Sequence, residues 1–250
     1  MPLDVEAVRR ALPRTTVHWF LRVASTMDEA ARLAAAGGDG IVVAEEQTAG
    51  RGRFGRIWHS EPEAGLYATF ILRLPLPPED APVLALALAL ATGEAIARVA
   101  DLACDLRWPN DVLIAGRKCA GILVEAGPGA FLAGIGINVN HAQLPEELAG
   151  QATSLRLASG RACSREHLLV ELARTVQAFT RMLVEGGPQP VLEMFRRASS
   201  FAEGRRVRVE TPKGPVEGVT DGLDPSGFLW LRTDLGERLL VRSGGVRPLE

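Results

Sequence analysis

The chain has 250 residues, 47% apolar and 23% charged, the balance of a soluble globular protein and not of a disordered one. A formal net charge of −2 and a pI near 6.1 give no overall basis for nucleic-acid binding, so any anion must be met locally. Cys104, Cys119 and Cys163 are odd in number and form no C-x-x-C pair, which argues against a disulfide framework or a zinc knuckle.

The N-terminal stretch MPLDVEAVRRALPRT carries charges throughout and lacks an apolar core with a small-residue cleavage site, so the expected location is the cytoplasm. Residues 4–12 read as a short helix and 18–23 as a strand. Thr26 followed by Glu29 is a capping-box pattern, opening a helix that runs to Ala36 and stops at Gly37-Gly38. A β-branched strand at 41–44, a Gly/Arg loop at 47–60 and a strand at 66–74 follow. A Pro-rich turn then leads into a helix over 79–100. Its apolar run, 83–91, is far shorter than the roughly 20 residues that cross a bilayer, so it reads as a buried helix and no membrane is implied.

Strands are expected at 106–108, 112–115, 119–125 and 131–139, separated by turns at Pro109-Asn110, Gly116 and Gly127-Pro128-Gly129. Helices follow at 164–184 and 189–198. Beyond residue 200 the short runs 206–210, 216–223, 228–232 and 238–241 are broken by Pro-Lys-Gly, Pro-Ser-Gly and Asp-Leu-Gly, which predicts a small β-barrel. Two domains are therefore expected, 1–199 and 200–250.

Gly50-Arg51-Gly52-Arg53-Phe54-Gly55-Arg56 follows a strand. Its glycines let backbone amides approach a ligand, and its arginines offer planar forks for carboxylate or phosphate oxygens. Such a loop would repel itself when empty, so it is expected to be mobile until an anion arrives. It is not a Walker A loop, and it is a weak dinucleotide fingerprint. A solvated basic loop and a nucleic-acid arm are the alternatives, the second wanting more basic and aromatic support than Trp58 provides.

Of the 28 basic residues only Lys118 and Lys213 are lysine. In so arginine-rich a chain, a retained lysine points to a site that needs an ammonium. Lys118 lies seven residues after Asp111 across a hairpin turn, and alternation along Lys118, Ala120, Ile122 and Val124 predicts that it shares a face with apolar residues. The strand Gly134-Ile135-Gly136-Ile137-Asn138-Val139-Asn140 completes the constellation. His18, His59, His141 and His167 have no metal-site spacing, and no metal ligands are legible.

In their order and spacing, Ser25-Thr26, Gln47, GRGRFGRIWHS, WPND, RKCAGILVE, GIGINVN and Thr153-Ser154-Leu155 resemble the biotin–protein ligase family over nearly the whole chain. The resemblance implies an α/β (α+β) catalytic domain of class II aminoacyl-tRNA synthetase type with a mixed sheet, plus a C-terminal SH3-like barrel. It implies activation of biotin with ATP and Mg²⁺ to biotinyl-5′-AMP, then transfer to a lysine of a biotin carboxyl carrier protein. Ser25, Thr26, Gln47, Gly50, Arg51, Gly52, Arg53 and Lys118 would contact biotin. Arg53, Arg56, Trp58, Asn110, Asp111, Lys118 and Asn138 would contact ATP. Arg56 could instead only support the loop, and Asn110 only the turn.

Lys118, Arg53 and Mg²⁺ would stabilise the reacting phosphate, with Asp111 as an orienter or proton acceptor for the carrier amine. Two positions depart from the family: Met27 replaces a common Asn, and Arg107 a common Lys. Only about fifteen residues precede the first catalytic strand, too few for a helix-turn-helix reader, so the single-function form is expected. A lipoate or octanoate ligase of the same fold and a nucleic-acid module are the competing readings. The oligomeric state is not legible, though the resemblance admits a homodimer.

Overall fold

The computed structural model describes residues 2–127, 129–211 and 214–249. The turn expected at Pro128 and the Pro212-Lys213 pair lie outside the described residues. Strands β1 (Val17–Val23), β2 (Gly40–Gln47), β3 (Gly65–Leu72), β4 (Asp105–Arg107), β5 (Asp111–Ile114), β6 (Arg117–Gly127) and β7 (Ala130–Asn138) form a seven-stranded sheet ordered β1-β2-β3-β7-β6-β5-β4. The β1–β2 pair is parallel and the rest antiparallel, giving a mixed sheet. Helices α1 (Val5–Ala11), α2 (Thr26–Ala35), α3 (Ala81–Ala100), α4 (Leu155–Ser159), α5 (Arg165–Gly186) and α6 (Pro188–Ala198) surround it.

Helix α2 begins one residue earlier in register than the capping-box pattern implies. Ser25 is the N-cap, its Oγ accepting from the Met27 amide at 3.2 Å, while Glu29 turns to Arg32. A hydroxyl at the N-cap satisfies an amide that the helix leaves without a partner. Helix α2 packs on β2, β3 and β7, and α3 on β4, β5 and β6 with α5 and α6 against it. The apolar run of α3 is core: Leu84, Leu86, Ala87, Leu88, Ala89 and Ala91 have no exposed surface. By length and composition alone Pro78–Ala100 could span a bilayer, but here sheet and helices take up its apolar faces.

The chain leaves the helical layer at Ala198 and enters an antiparallel sheet of β8 (Glu203–Thr211), β9 (Gly214–Leu223), β10 (Leu229–Thr233), β11 (Arg238–Val241) and β12 (Gly245–Pro248), ordered β11-β10-β9-β8-β12. β12 and α4 were not among the expected elements. This sheet docks on the β4–β5 end of the larger one. The Trp108 indole donates to Gly227 O at 2.9 Å, Ser199 Oγ to Leu106 O, and Val207, Val209, Leu229 and Leu231 join the main core.

Candidate functional site

A cavity of about 620 Å³ opens where β2, β6 and β7 meet the 50–58 segment, within the range typical of small-molecule sites. Thr26, Gln47, Arg51, Gly52, Arg53, Arg56, Trp58, Asn110, Asp111, Lys118 and Asn138 all line it. Ser25 and Gly50, also expected to touch biotin, do not. The Ser25 hydroxyl caps α2 from a buried position, and Gly50 lies against the carbonyl of Trp58, which a Cβ would meet at 2.5 Å.

The polar end is organised around Gln47. Its Oε1 accepts from the Thr26 amide at 2.8 Å and from Thr26 Oγ1 at 3.0 Å, and Thr69 Oγ1 donates to Thr26 Oγ1. A side-chain network with its partners satisfied holds its groups rigidly. Beside it, buried Met27 lays its sulfur over β7, 2.8 Å from where a Cβ on Gly134 would stand.

Lys118 lines the cavity, on a different strand face from the one alternation predicts. A bulge pairs Val112 with Ala120 but Leu113 with Lys118, so Cys119 is the extra residue. A bulge re-aims side chains by breaking the period of two. Ala120 and Ile122 therefore enter the core, while Lys118 turns toward Gly121 and the cavity. Its Nζ lies 2.5 Å from Asp111 Oδ1 and 5.4 Å from the centre of the Trp58 ring. Trp58 lies flat on β6 and β7, where a Cβ at Gly136 would meet the indole at 2.5 Å. Among the described residues the buried Trp58 Nε1 has no acceptor.

Arg107 takes the other oxygen of Asp111, with Nη2 to Oδ2 at 2.8 Å. Burial alone would raise the Asp111 pKa, but Lys118 and Arg107 together hold it below the ordinary carboxylate range. With both oxygens occupied, Asp111 is a poor proton acceptor and a good orienter of Lys118. Asn110 donates to Ile122 O at 2.7 Å and Asn138 to Thr153 O at 3.1 Å. Both amides shape the walls and leave their oxygens for a ligand. The 144–152 loop is pinned to Lys118 itself, through Lys118 N to Gln151 O and Thr153 N to Lys118 O, each 2.9 Å.

The arginine segment folds into a small hairpin, with Trp58 N donating to Gly50 O and Gly52 N to Arg56 O. The self-repulsion expected of it is offset by distant acids: Arg51 pairs with Asp28 and Glu125. Arg53 Nη1 donates to Gly244 O at 3.2 Å, and burial, above all, lowers its pKa. That contact brings in Gly244–Pro248, which line the cavity from the second sheet. No sequence signal marked this segment, which lies 191 residues from Arg53.

Behind the wall formed by Tyr67 lies His141, with no exposed surface; its Nε2 is 3.5 Å from Tyr67 Oη. Burial first, and His59 second, push its pKa from 6.5 down to about 4. A base depressed in the fold is protonated first in the unfolded chain, so stability held above pH 6.5 is lost as pH falls toward 4. About 2 kcal/mol should be lost from this group between pH 7 and 5. Urea midpoints at the two pH values check this, and His141→Gln should show the smaller pH dependence. Identical dependence in both proteins would refute the assignment.

No three His, Cys, Asp or Glu side chains come together among the described residues, and Asp111 is already matched by two cations. The described residues therefore build no cage for Mg²⁺.

Residues 19–141 match the Biotin/lipoate A/B protein ligase family, and residues 204–246 match the Biotin protein ligase C terminal domain. The chain is 37% identical to the biotin–[acetyl-CoA-carboxylase] ligase of Mycobacterium tuberculosis, covering 98% of this chain and 94% of that one. It is 36% identical to the bifunctional ligase/repressor BirA of Bacillus spizizenii over 78% of its own length, spanning 62% of that relative. A solved biotin protein ligase from Aquifex aeolicus, in complex with biotin and ATP, superposes with a TM-score of 0.83 at 28% identity, covering 94% of this chain and 99% of that chain. The mixed sheet with its helices and the small SH3-like sheet thus have the architecture of biotin protein ligases, and the chain belongs to the biotin–protein ligase family.

Proposed function

We propose that this chain joins biotin to ATP, forming biotinyl-5′-AMP and pyrophosphate, and then transfers the biotinyl group to one lysine of a biotin carboxyl carrier domain. The observation that carries the reading is the charge of the cavity. Arg51, Arg53, Arg56, Arg107, Lys118 and Arg247 line it with a single carboxylate, Asp111, among the described residues. Such a site suits a reaction in which two anions must meet.

Thr26 and Gln47 would receive the ureido ring, with Met27 and Leu123 beside the thiophane. Arg51, Gly52 and Arg53 would close over biotin, as the second-sheet contact of Arg53 supports. Asn138, Arg56 and the unpartnered Trp58 Nε1 would meet the nucleotide. Lys118, oriented by Asp111, would stand where the acid meets the α-phosphate. A carboxylate oxygen of biotin attacks the α-phosphorus, the bond to the β-phosphate oxygen breaks, and pyrophosphate leaves. The carrier amine then attacks the acyl carbon, AMP departs with the bonding electrons, and the amine proton passes to solvent. Mg²⁺ would arrive as the counter-ion of ATP, since magnesium is commonly held by substrate phosphates and water.

Residues 1–199 would form the catalytic domain and 200–250 a C-terminal domain that completes the nucleotide side, in a protein working in the cytoplasm. The test is pyrophosphate release by the purified chain given ATP and Mg²⁺ with either biotin or lipoate, followed by mass analysis of an added carrier domain. Release with biotin and one modified carrier lysine are expected. Release with lipoate alone would move the assignment to the lipoate branch of the family.

A further inference from the structure

Arg51, which lines the cavity, pairs with two acids that do not. Its Nη1 is 2.9 Å from Asp28 Oδ1, in the first turn of α2, and its Nη2 is 2.5 Å from Glu125 Oε1, on β6. The immediate neighbour of Asp28, Met27, forms the cavity wall, as does Leu123, two residues before Glu125 on the same strand face. Leu123 pairs with Gly134, over which Met27 lies. The guanidinium fork therefore joins the first turn of α2 to β6 next to Met27 and Leu123, which line the cavity together with Gly134, Thr26 and Gln47.

We infer that Asp28 and Glu125 are positioning residues that hold Arg51, and with it the 50–57 segment, closed over the biotin end of the pocket. The assignment of that end to biotin rests on the function proposed above; the latch itself does not. Neither acid lines the cavity, so each acts through Arg51. Arg51, Arg53 and Arg56 crowd one short hairpin, and like charges there favour opening unless acids oppose them. A single exposed pair contributes little, but one fork on two acids from separate elements fixes a geometry as well as a charge. Closure by this means lets biotin enter while the fork is released and slows its escape when the fork re-forms.

The test is the double variant Asp28→Asn/Glu125→Gln, whose parent side chains are 56% and 36% exposed, so that the core is untouched. In the ligand-free protein, amide hydrogen exchange over residues 50–57 should quicken about three- to tenfold. With biotin, KM for biotin should rise by a similar factor, while kcat and KM for ATP stay within about twofold. Asp28→Glu keeps the charge and should behave as wild type. Unchanged exchange over 50–57 would overturn the latch, and faster exchange with an unchanged KM for biotin would overturn its role in retaining biotin. If the wild type does not consume biotin at all while exchange still quickens, the ligase reading falls and the latch stands.

Discussion

Lys118→Arg should lower the rate of biotin-dependent pyrophosphate release by about 10²–10³, the usual consequence of losing one aligned donor to a transition-state oxyanion. Formal charge is conserved in this variant, so the effect comes from shape. The ammonium fits between Asp111 Oδ1 at 2.5 Å and the Trp58 face, with Gly121 leaving room beneath. A guanidinium is wider, planar and less strongly hydrated, and cannot set its donors at the point where Nζ now stands. It would displace the indole or take over Asp111, which Arg107 already engages in the same fork manner. Single-turnover kinetics with biotin and ATP measure the chemical step, and thermal unfolding in parallel shows whether the fold is intact. Arginine at wild-type rates would remove Lys118 from the chemistry.

Glu45→Gln should destabilise the whole chain by about 3–5 kcal/mol, lowering Tm by roughly 6–20 °C. Glu45 and Arg165 face each other at 2.8 Å with side chains only 2% and 6% exposed. Glu45 also accepts from the Leu3 amide, and Arg165 donates to Gly65 O at 3.2 Å, so the pair ties the N-terminal segment, β2, β3 and α5 together. Removing the carboxylate takes away the charge that neutralises a buried guanidinium, and this is far costlier than replacing both partners. The double variant Glu45→Met/Arg165→Leu should accordingly recover most of the loss. Urea unfolding measures both, and a cost below about 1 kcal/mol for Glu45→Gln would show that the guanidinium is well solvated or otherwise matched.

What the sequence determined by itself was whatever depends on near neighbours. The Ser25-Thr26 region as a helix start, the long apolar α3 and the turn chemistry at Gly116 are all set within a few residues, and they gave an α/β chain with a β-rich end. The chemical character of the site was also local: the concentration of arginine and glycine at 50–56 and the lone Lys118 in an arginine-rich chain both point to an anion. Short elements without a repeating pattern escaped, as α4 has only five residues and β12 runs through a glycine-rich stretch.

Tertiary structure alone decided the partners. The bulge at Cys119, which turns Lys118 from the core face to the cavity, arises from how β5 registers on β6. The acids that hold Arg51 lie 23 and 74 residues away from it, and the carbonyl that receives Arg53 lies 191 residues away. Charge and hydrogen-bond matching act through a few ångströms of space whatever the separation along the chain. A sequence can therefore announce that an anion is wanted, while the folded sheet decides which side chains wait for it and which acids hold them in place until it comes.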